Sequence, residues 1–511
     1  MDRPPAGVDA RAWQRFLSAE HVNDPLRGND DPTLERLLAL RNGTLASADF
    51  DAFEAILRRA VTQLYAGARE AKAHFGVDQG VRAPDARTLI VELRSPTPYF
   101  LELTSHHSSF PIPRSVSQNP KVDDDWFLPG KIVSNGPYTL RTWVVNDHIR
   151  LERSETYWGK DQVTLQRIDA LPNDNVTTTM NLYLTGAVDW LPKYYPQEMA
   201  PLLRKRPDFY AEAGLSVYFY RFNNTRKPFD DRRVRQAINL AIDREMIVRD
   251  VRGLGELPAR TIVPPGLAGY TPPESGIRYD VKQAQRLLAE AGYPGGKGFP
   301  RVGILYNTFE DHKKIAEVVS DQLKRNLGIE ITAYNQEWQS YLETSHAMDY
   351  EISRAGWIGD YLDPNTFLDM WVTNGDNNYT GFSSQRYDRL IRLAGDVTPF
   401  LRDPEPVLAE LRDKEVVRAL IPACLAGSPA EQRQAREKLR FALFREAEAI
   451  LVTEEFPIMP VFFYVDGGLI RSHVSGFSMR ERLADGSVAF NLQDRHPLRA
   501  LSIDESKRTA P

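Results

Sequence analysis

The stretch Arg354-Ala355-Gly356-Trp357-Ile358-Gly359-Asp360-Tyr361-Leu362-Asp363-Pro364 brings an aromatic, two glycines and an acidic group together in one short loop. Tryptophan supplies a rigid apolar wall, glycine lets backbone come close to a guest, and a carboxylate held away from water prefers a paired ammonium. That equipment suits a grip on a small cationic ligand. The same pattern also describes a solvated acidic cap in a glycine-containing turn, and local spacing leaves both readings open.

Composition narrows the class. At 511 residues the chain exceeds the usual single-domain size of about 250 to 300, so two or more compact lobes are expected. Hydrophobic residues make up 42% and aromatics 10%, ample for buried cores. A formal net charge of −5 leaves no global basic field, which argues against a nucleic-acid partner. No apolar run approaches the roughly 18 residues that span a bilayer. The single cysteine, Cys424, cannot form an internal disulfide, which leaves the redox compartment open.

Motifs of catalysis are missing. There is no Gly-x-x-x-x-Gly-Lys-Ser/Thr loop, no His-Glu-x-x-His, no Cys-x-x-Cys and no Gly-x-Ser-x-Gly elbow, so the chain is not read as an enzyme. His106-His107 has no accompanying carboxylate or cysteine pattern for a metal, and neither metal nor cofactor is expected. Asp230-Asp231 and Glu454-Glu455 read as caps or surface charge.

Periodicity outlines an α/β chain. Residues 33 to 74 have helical spacing, 88 to 93 read as a strand, and 137 to 153 as a hairpin. A helix over 173 to 184 feeds a short strand at 187 to 191. Val234, Ala237, Ile238, Ala241 and Ile242 mark one face of a helix over 228 to 250, behind the caps Asp230 and Asp231. Another helix covers 281 to 291 and stops at Gly292. A βαβ unit follows: strand 302 to 306, helix 312 to 327, then strand 329 to 333 after Gly328. The stretch 420 to 440, with Pro422, Gly427 and Pro429, reads as a surface decoration, and the charged tail after Leu501 as frayed.

Several ordered blocks carry a family resemblance. They are Ser134-Asn135-Gly136-Pro137-Tyr138-Thr139-Leu140 through Trp143 to Tyr157-Trp158, Phe222-Asn223-Asn224, Pro228-Phe229-Asp230-Asp231-Arg232-Arg233-Val234-Arg235 and Ala241-Ile242-Asp243-Arg244. After them come Ala-Glu-Ala-Gly-Tyr-Pro at 289 to 294, Tyr306-Asn307-Thr308, His312-Lys313-Lys314, Asn335-Gln336-Glu337-Trp338, the opening stretch, and Pro460-Val461-Phe462-Phe463-Tyr464-Val465. In these blocks the chain resembles the oligopeptide-binding proteins, extracytoplasmic solute-binding components of peptide ABC transporters (family 5), over roughly residues 75 to 500. A weaker echo is Trp13-Gln14-Arg15.

The resemblance implies a bilobal, periplasmic-binding-protein-like α/β fold of class II type, built from three domains in a discontinuous chain. Residues 1–115 would be the remainder of a small extra domain, 116–215 and 466–511 the first lobe, and 216–465 the second, with hinges near Tyr218 and Val465. It implies that Asp360 pairs with a peptide's α-ammonium, and that His312 and Arg354 meet its carboxylate, beside Asn307. Trp338, Trp357 and Tyr464, with Gly356, would line the remainder of the site. A basic family position is Ser345 here, and the residue after the loop tryptophan is Ile358, which makes that pocket more apolar. The implied partners are an oligopeptide ligand and the permease subunits of an ABC transporter, with the receptor itself a monomer.

Other readings remain open at this point: a receptor for a nickel complex, a sugar or an opine on the same fold, a sensor or regulatory protein, or an inactive fragment. Met1-Asp2-Arg3-Pro4-Pro5 reads as neither the basic nor the apolar part of a signal peptide, although the resemblance implies export to the periplasm or cell envelope. The reading favours an N-terminal truncation over a shortened natural variant.

Overall fold

The computed structural model describes residues 80–508 apart from 94–95, 105, 114–115, 117–125, 174, 193–194, 268 and 477–497. The chain divides between Arg94 and Ser95 into two units. The described part of the first is an antiparallel pair, β1 (Val81–Arg82) and β2 (Ile90–Val91), with Arg82 and Glu92 joined at 2.7 Å. The strand expected over 88–93 is reduced to β2, while the helical stretch 33–74 and Trp13-Gln14-Arg15 lie outside the described residues.

In the second unit the expected hairpin is β3 (Tyr138–Val144) and β4 (His148–Arg153), extended by β5 (Arg167–Ala170) into a three-stranded antiparallel sheet. The main sheet has seven strands: β6 (Trp190–Pro192), β7 (Phe209–Phe222), β8 (Leu257–Pro258), β9 (Val302–Asn307), β10 (Ile331–Gln336), β11 (Ile352–Ile358) and β12 (Ile458–Ile470). Their order is β10-β9-β11-β7-β12-β6, with β8 added on β12. The expected βαβ unit is present. β9 and β10 pair in parallel, and the crossover helix Glu310–Leu327 ends at Gly328, whose φ of 70° suits a residue without a Cβ.

The helix expected over 228–250 is interrupted. Arg232–Leu240 starts behind the Asp231 cap, but Asp243 is itself extended and its carboxylate accepts from the Met246 N–H at 2.9 Å, starting a new helix. An aspartate placed to cap competes with helix continuation. The π-helical turn Ile247–Arg252 then closes on Gly253.

Alternation along β7 builds two cores, one on each face of the sheet. Leu215, Val217 and Phe219 join one cluster, with Phe367, Trp371, Leu443 and Phe444. Tyr218, Tyr220 and Phe222 join the other, with Ile304, Ile315, Val319 and Phe462. β7 and β12, 14 and 13 residues long, pair antiparallel along most of their length. Their outer ends, Phe209 and Leu469, pack with Tyr183, Leu191 and Leu203 in a separate cluster that β6 joins. Pairing is broken between these regions: Phe463 opposes Val217 but Val465 opposes Ala213, so Tyr464 stands in an irregularity of the ladder.

Two expectations are corrected here. The stretch 420–440 is not merely a decoration: it forms parts of the helices Lys414–Leu425 and Pro429–Ala449, and Cys424, Leu439 and Arg440 are buried. The tail is paired at least in part, because β14 (Ser502–Ile503) forms a ladder with β13 (Val474–Ser475) and Leu501 is buried.

Candidate functional site

The stretch 354–364 is not one loop. Its first half is β11, and strand alternation sends its side chains to opposite faces of the sheet. Ala355 and Trp357 belong to the core that contains Phe367, whereas Arg354 reaches into the tyrosine face, its guanidinium 4.7 Å from the centre of the Tyr218 ring. The sequence brings these residues near in number; the pleat separates them.

Arg354 is the centre of one group. Its Nη2 donates to Tyr464 Oη at 2.7 Å and its Nη1 to Asn307 Oδ1 at 3.3 Å, so its partners are neutral oxygens, while its buried Nε makes no hydrogen bond. A Cβ added at Gly356 would stand 3.3 Å from Arg354 Nη2 and 3.6 Å from Tyr464 Oη, so the glycine leaves the guanidinium room. His312, on the first turns of the crossover helix, is buried between Tyr218 and Phe309, with ring centres 5.6 and 5.1 Å away. Burial, aided by the Arg354 and Arg252 charges, lowers its pKa to about 2. His312 is therefore neutral and offers a hydrogen bond, not a positive charge. Its Nδ1 has no hydrogen-bond partner among the described residues.

Asp360 and Trp357 form the second group. Thr366 Oγ1 accepts from the Asp360 backbone N–H at 3.1 Å and from Trp357 Nε1 at 3.5 Å, fixing strand end and indole together. Gly359 is required between them by packing and not by a guest, because a Cβ there would lie 2.7 Å from Leu215 Cδ2. The Asp360 side chain is 45% exposed and faces His106 Nε2 at 3.8 Å. Partial burial raises its pKa, against the lowering influence of His106 and His107.

Trp338 stands apart from both groups. It begins the helix Trp338–His346, is half exposed, and stacks on Tyr341 with ring centres 5.6 Å apart. Tyr341 Oη donates to the Arg354 carbonyl, which ties that helix to β11. Ser345 is buried against Ser353, with 3.4 Å between hydroxyls, and Ile358 is exposed. The sequence marks Tyr218 only as a hinge position and singles out neither Thr366 nor Arg440. Tyr218 alone had a usable signal, the alternating aromatics of β7.

A cavity of about 470 Å³ lies beside β7, β8 and β12, lined by Arg204, Phe209, Leu254, Leu257, Pro264 and Tyr464 among others. Of the expected site residues it includes Tyr464 alone. Among the described residues no group of three or more His, Cys, Asp or Glu side chains is arranged to hold a metal ion. No helix among them is long and apolar enough to cross a membrane.

Comparison with known proteins decides the family. The model for bacterial extracellular solute-binding proteins, family 5 Middle, matches residues 42–379. The chain belongs to this family. It is 34% identical over 413 residues to the periplasmic oligopeptide-binding protein OppA of Escherichia coli (strain K12), a match covering 80% of this chain and 68% of that one. Among solved structures, a periplasmic oligopeptide-binding protein (OppAIV) from Borrelia burgdorferi superposes with a TM-score of 0.66 at 30% identity, over 83% of this chain and 75% of that one. Haemophilus influenzae OppA in complex with RPPGFSPFR gives 0.64 at 28% identity, over 83% and 75%. The family 5 fold is the bilobal α/β architecture expected from the sequence, and its members are solute-binding proteins.

Proposed function

We propose that this protein is the receptor of an ABC importer for short peptides, holding each ligand by its two charged ends between the lobes and presenting it to membrane permease subunits. The observation that carries this reading is the placement of an acid and a base at opposite ends of one strand. Asp360 lies just beyond the end of β11 and Arg354 near its start, at most about 20 Å apart along the chain at roughly 3.3 Å per residue. An extended peptide of about three to five residues spans about 10 to 18 Å, so its termini fit that interval.

The chemistry of a general peptide receptor follows. The constant parts of the ligand, ammonium and carboxylate, are matched by Asp360 and by Arg354 with Asn307 and the neutral His312 donor. Tyr464 beside Arg354 and Trp357 beside Asp360 supply an aromatic wall at each end, and the exposed Trp338 ring is available to varied ligand side chains. Closure turns about the break in the β7–β12 ladder beside Tyr464, and the working division of the chain is 1–115, 116–215 with 466–511, and 216–465. The protein acts as a monomer in the periplasm or cell envelope and makes or breaks no bond in its ligand. The peptide-binding names of its relatives support this reading.

A thermal-shift titration with a pool of tri- to pentapeptides, run beside N-acetylated and C-amidated pools, tests it. A ligand bound only to the folded state at 100 times its Kd stabilises by about 2.7 kcal/mol. Free peptides are expected to raise the midpoint, and capped peptides to raise it less. A cooperative melt that no peptide shifts would remove the peptide reading.

A further inference from the structure

In the sequence His106 has no carboxylate or cysteine pattern for a metal beside it, but the structure brings it to Asp360. The segment that carries it is fastened to the Asp360 turn at three points. Tyr99 stacks on Tyr361 with ring centres 4.3 Å apart, the Glu102 carboxylate accepts from the Leu362 N–H at 2.6 Å, and Asn365 Nδ2 donates to Tyr99 Oη at 3.2 Å. From this platform His106 directs Nε2 at Asp360 Oδ1, 3.8 Å away.

The imidazole is oriented by its other nitrogen. His106 Nδ1 accepts from the Ser108 N–H at 3.4 Å and lies 2.7 Å from Ser108 Oγ. In the neutral ring an accepting Nδ1 puts the proton on Nε2, toward the carboxylate. In the charged ring Nδ1–H donates to Ser108 Oγ instead, so both protonation states are accommodated without moving the backbone. His106 is 22% exposed at its side chain, open enough to exchange protons with solvent.

We propose that His106 is an internal competitor for the ligand's ammonium: in acid its imidazolium pairs with Asp360 and weakens the site for amine-bearing ligands, and near neutrality it gives way. This rests on Asp360 being the ammonium anchor. Other charges face the same place. The His107 ring lies tilted against that of His106 with centres 4.0 Å apart, the Asp360 charge helps raise the pKa of nearby Asp369, and Glu102 and the Asp363–Arg440 pair flank the turn. Tyr99 and Tyr361 complete the surround and stay neutral below pH 8 because burial raises both. Asp369 needs separate control, since burial lifts its pKa to about 6 and its neutralisation in acid would weaken cation binding in the same direction.

The test is calorimetric titration of trialanine and N-acetyl-trialanine between pH 7 and pH 5, where the peptide's α-ammonium, with a pKa of about 7.7 to 8.0, stays charged. The proteins are wild type, His106→Gln, His106→Asn, His107→Gln and Asp369→Asn. Wild type is expected to lose about fivefold in trialanine affinity toward pH 5, the size of a partly exposed ion pair. Both His106 variants should lose most of that dependence and bind more tightly than wild type at pH 5, while His107→Gln and Asp369→Asn keep a His106-dependent slope. A wild-type slope in the His106 variants, with trialanine still preferred over its acetylated form, overturns the competitor and leaves the anchor standing. Equal binding of the two peptides by wild type overturns both.

Discussion

Arg440 grips Asp363 with two parallel hydrogen bonds, Nη1 to Oδ2 at 2.5 Å and Nη2 to Oδ1 at 2.6 Å, with 4% and 7% of the two side chains exposed. Asp363 Oδ1 also accepts from the Asn365 N–H at 2.9 Å. This pair pins the turn three residues beyond Asp360 to the long helix Pro429–Ala449, so the geometry of the candidate anchor depends on a residue 77 positions from Asp363.

Arg440→Met removes one partner and leaves a buried carboxylate uncompensated, which typically costs about 3 to 5 kcal/mol. The midpoint of denaturant unfolding should fall accordingly. Arg440→Lys should recover only part of it, because an ammonium cannot make the two-pronged contact.

Asp360→Asn keeps the shape of the turn and removes the charge. Free tripeptides should bind about tenfold more weakly, roughly 1.4 kcal/mol, with acetylated tripeptides unchanged. Calorimetry on the two peptides reads the difference. A variant that still prefers the free amine would show that the ammonium is held elsewhere.

Arg354→Met tests the other end. Wild type should prefer a peptide with a free carboxylate over its amide, and the variant should lose that preference. Because His312 is neutral, His312→Gln should weaken both peptides by a similar factor and leave the preference in place. Loss of the preference in His312→Gln would mean that the histidine carries charge in the complex.

Glu448 gives a pH dependence independent of ligand. It is fully buried and accepts from the Ile262 and Val263 N–H groups, both at 2.8 Å, and from Tyr270 Oη at 2.6 Å. Burial nevertheless raises its pKa from 4.5 to about 7, the three hydrogen bonds opposing the rise. A folded-state pKa above the unfolded one means that its protonated form contributes stability fully below about pH 4.5 and that this is lost as pH rises through about 7. The unfolding free energy of wild type relative to Glu448→Gln should therefore decline between those values. A difference that is flat or rises with pH would contradict the assignment.

Local chemistry made much of the fold legible. Asp231 and Asp280 start helices with their side chains, Gly328 ends one by its backbone freedom, and the 302–333 region reads directly as βαβ. The helix break at Asp243 is not legible locally because the apolar stripe runs on through Ala241 and Ile242, and nothing in the spacing says that the aspartate will cap instead. The family blocks pointed to Asp360, Arg354, Asn307, His312 and Tyr464. They do not show that β11 sends Arg354 and Trp357 to opposite faces, since the glycine-flanked tryptophan has the local spacing of a loop.

By itself, then, the sequence determined a family 5 solute-binding protein of α/β class with an acid and a base bracketing a tryptophan, because composition, caps and ordered motifs act over a few residues. Tertiary structure decided which of those side chains share a face, that His312 is neutral, that His106 meets Asp360, and that Arg440 holds the turn. The reason is physical. Burial, strand register and charge proximity are properties of segments brought together from distant parts of the chain, as the pairing of β7 with β11 and β12 does for Tyr218, Arg354 and Tyr464.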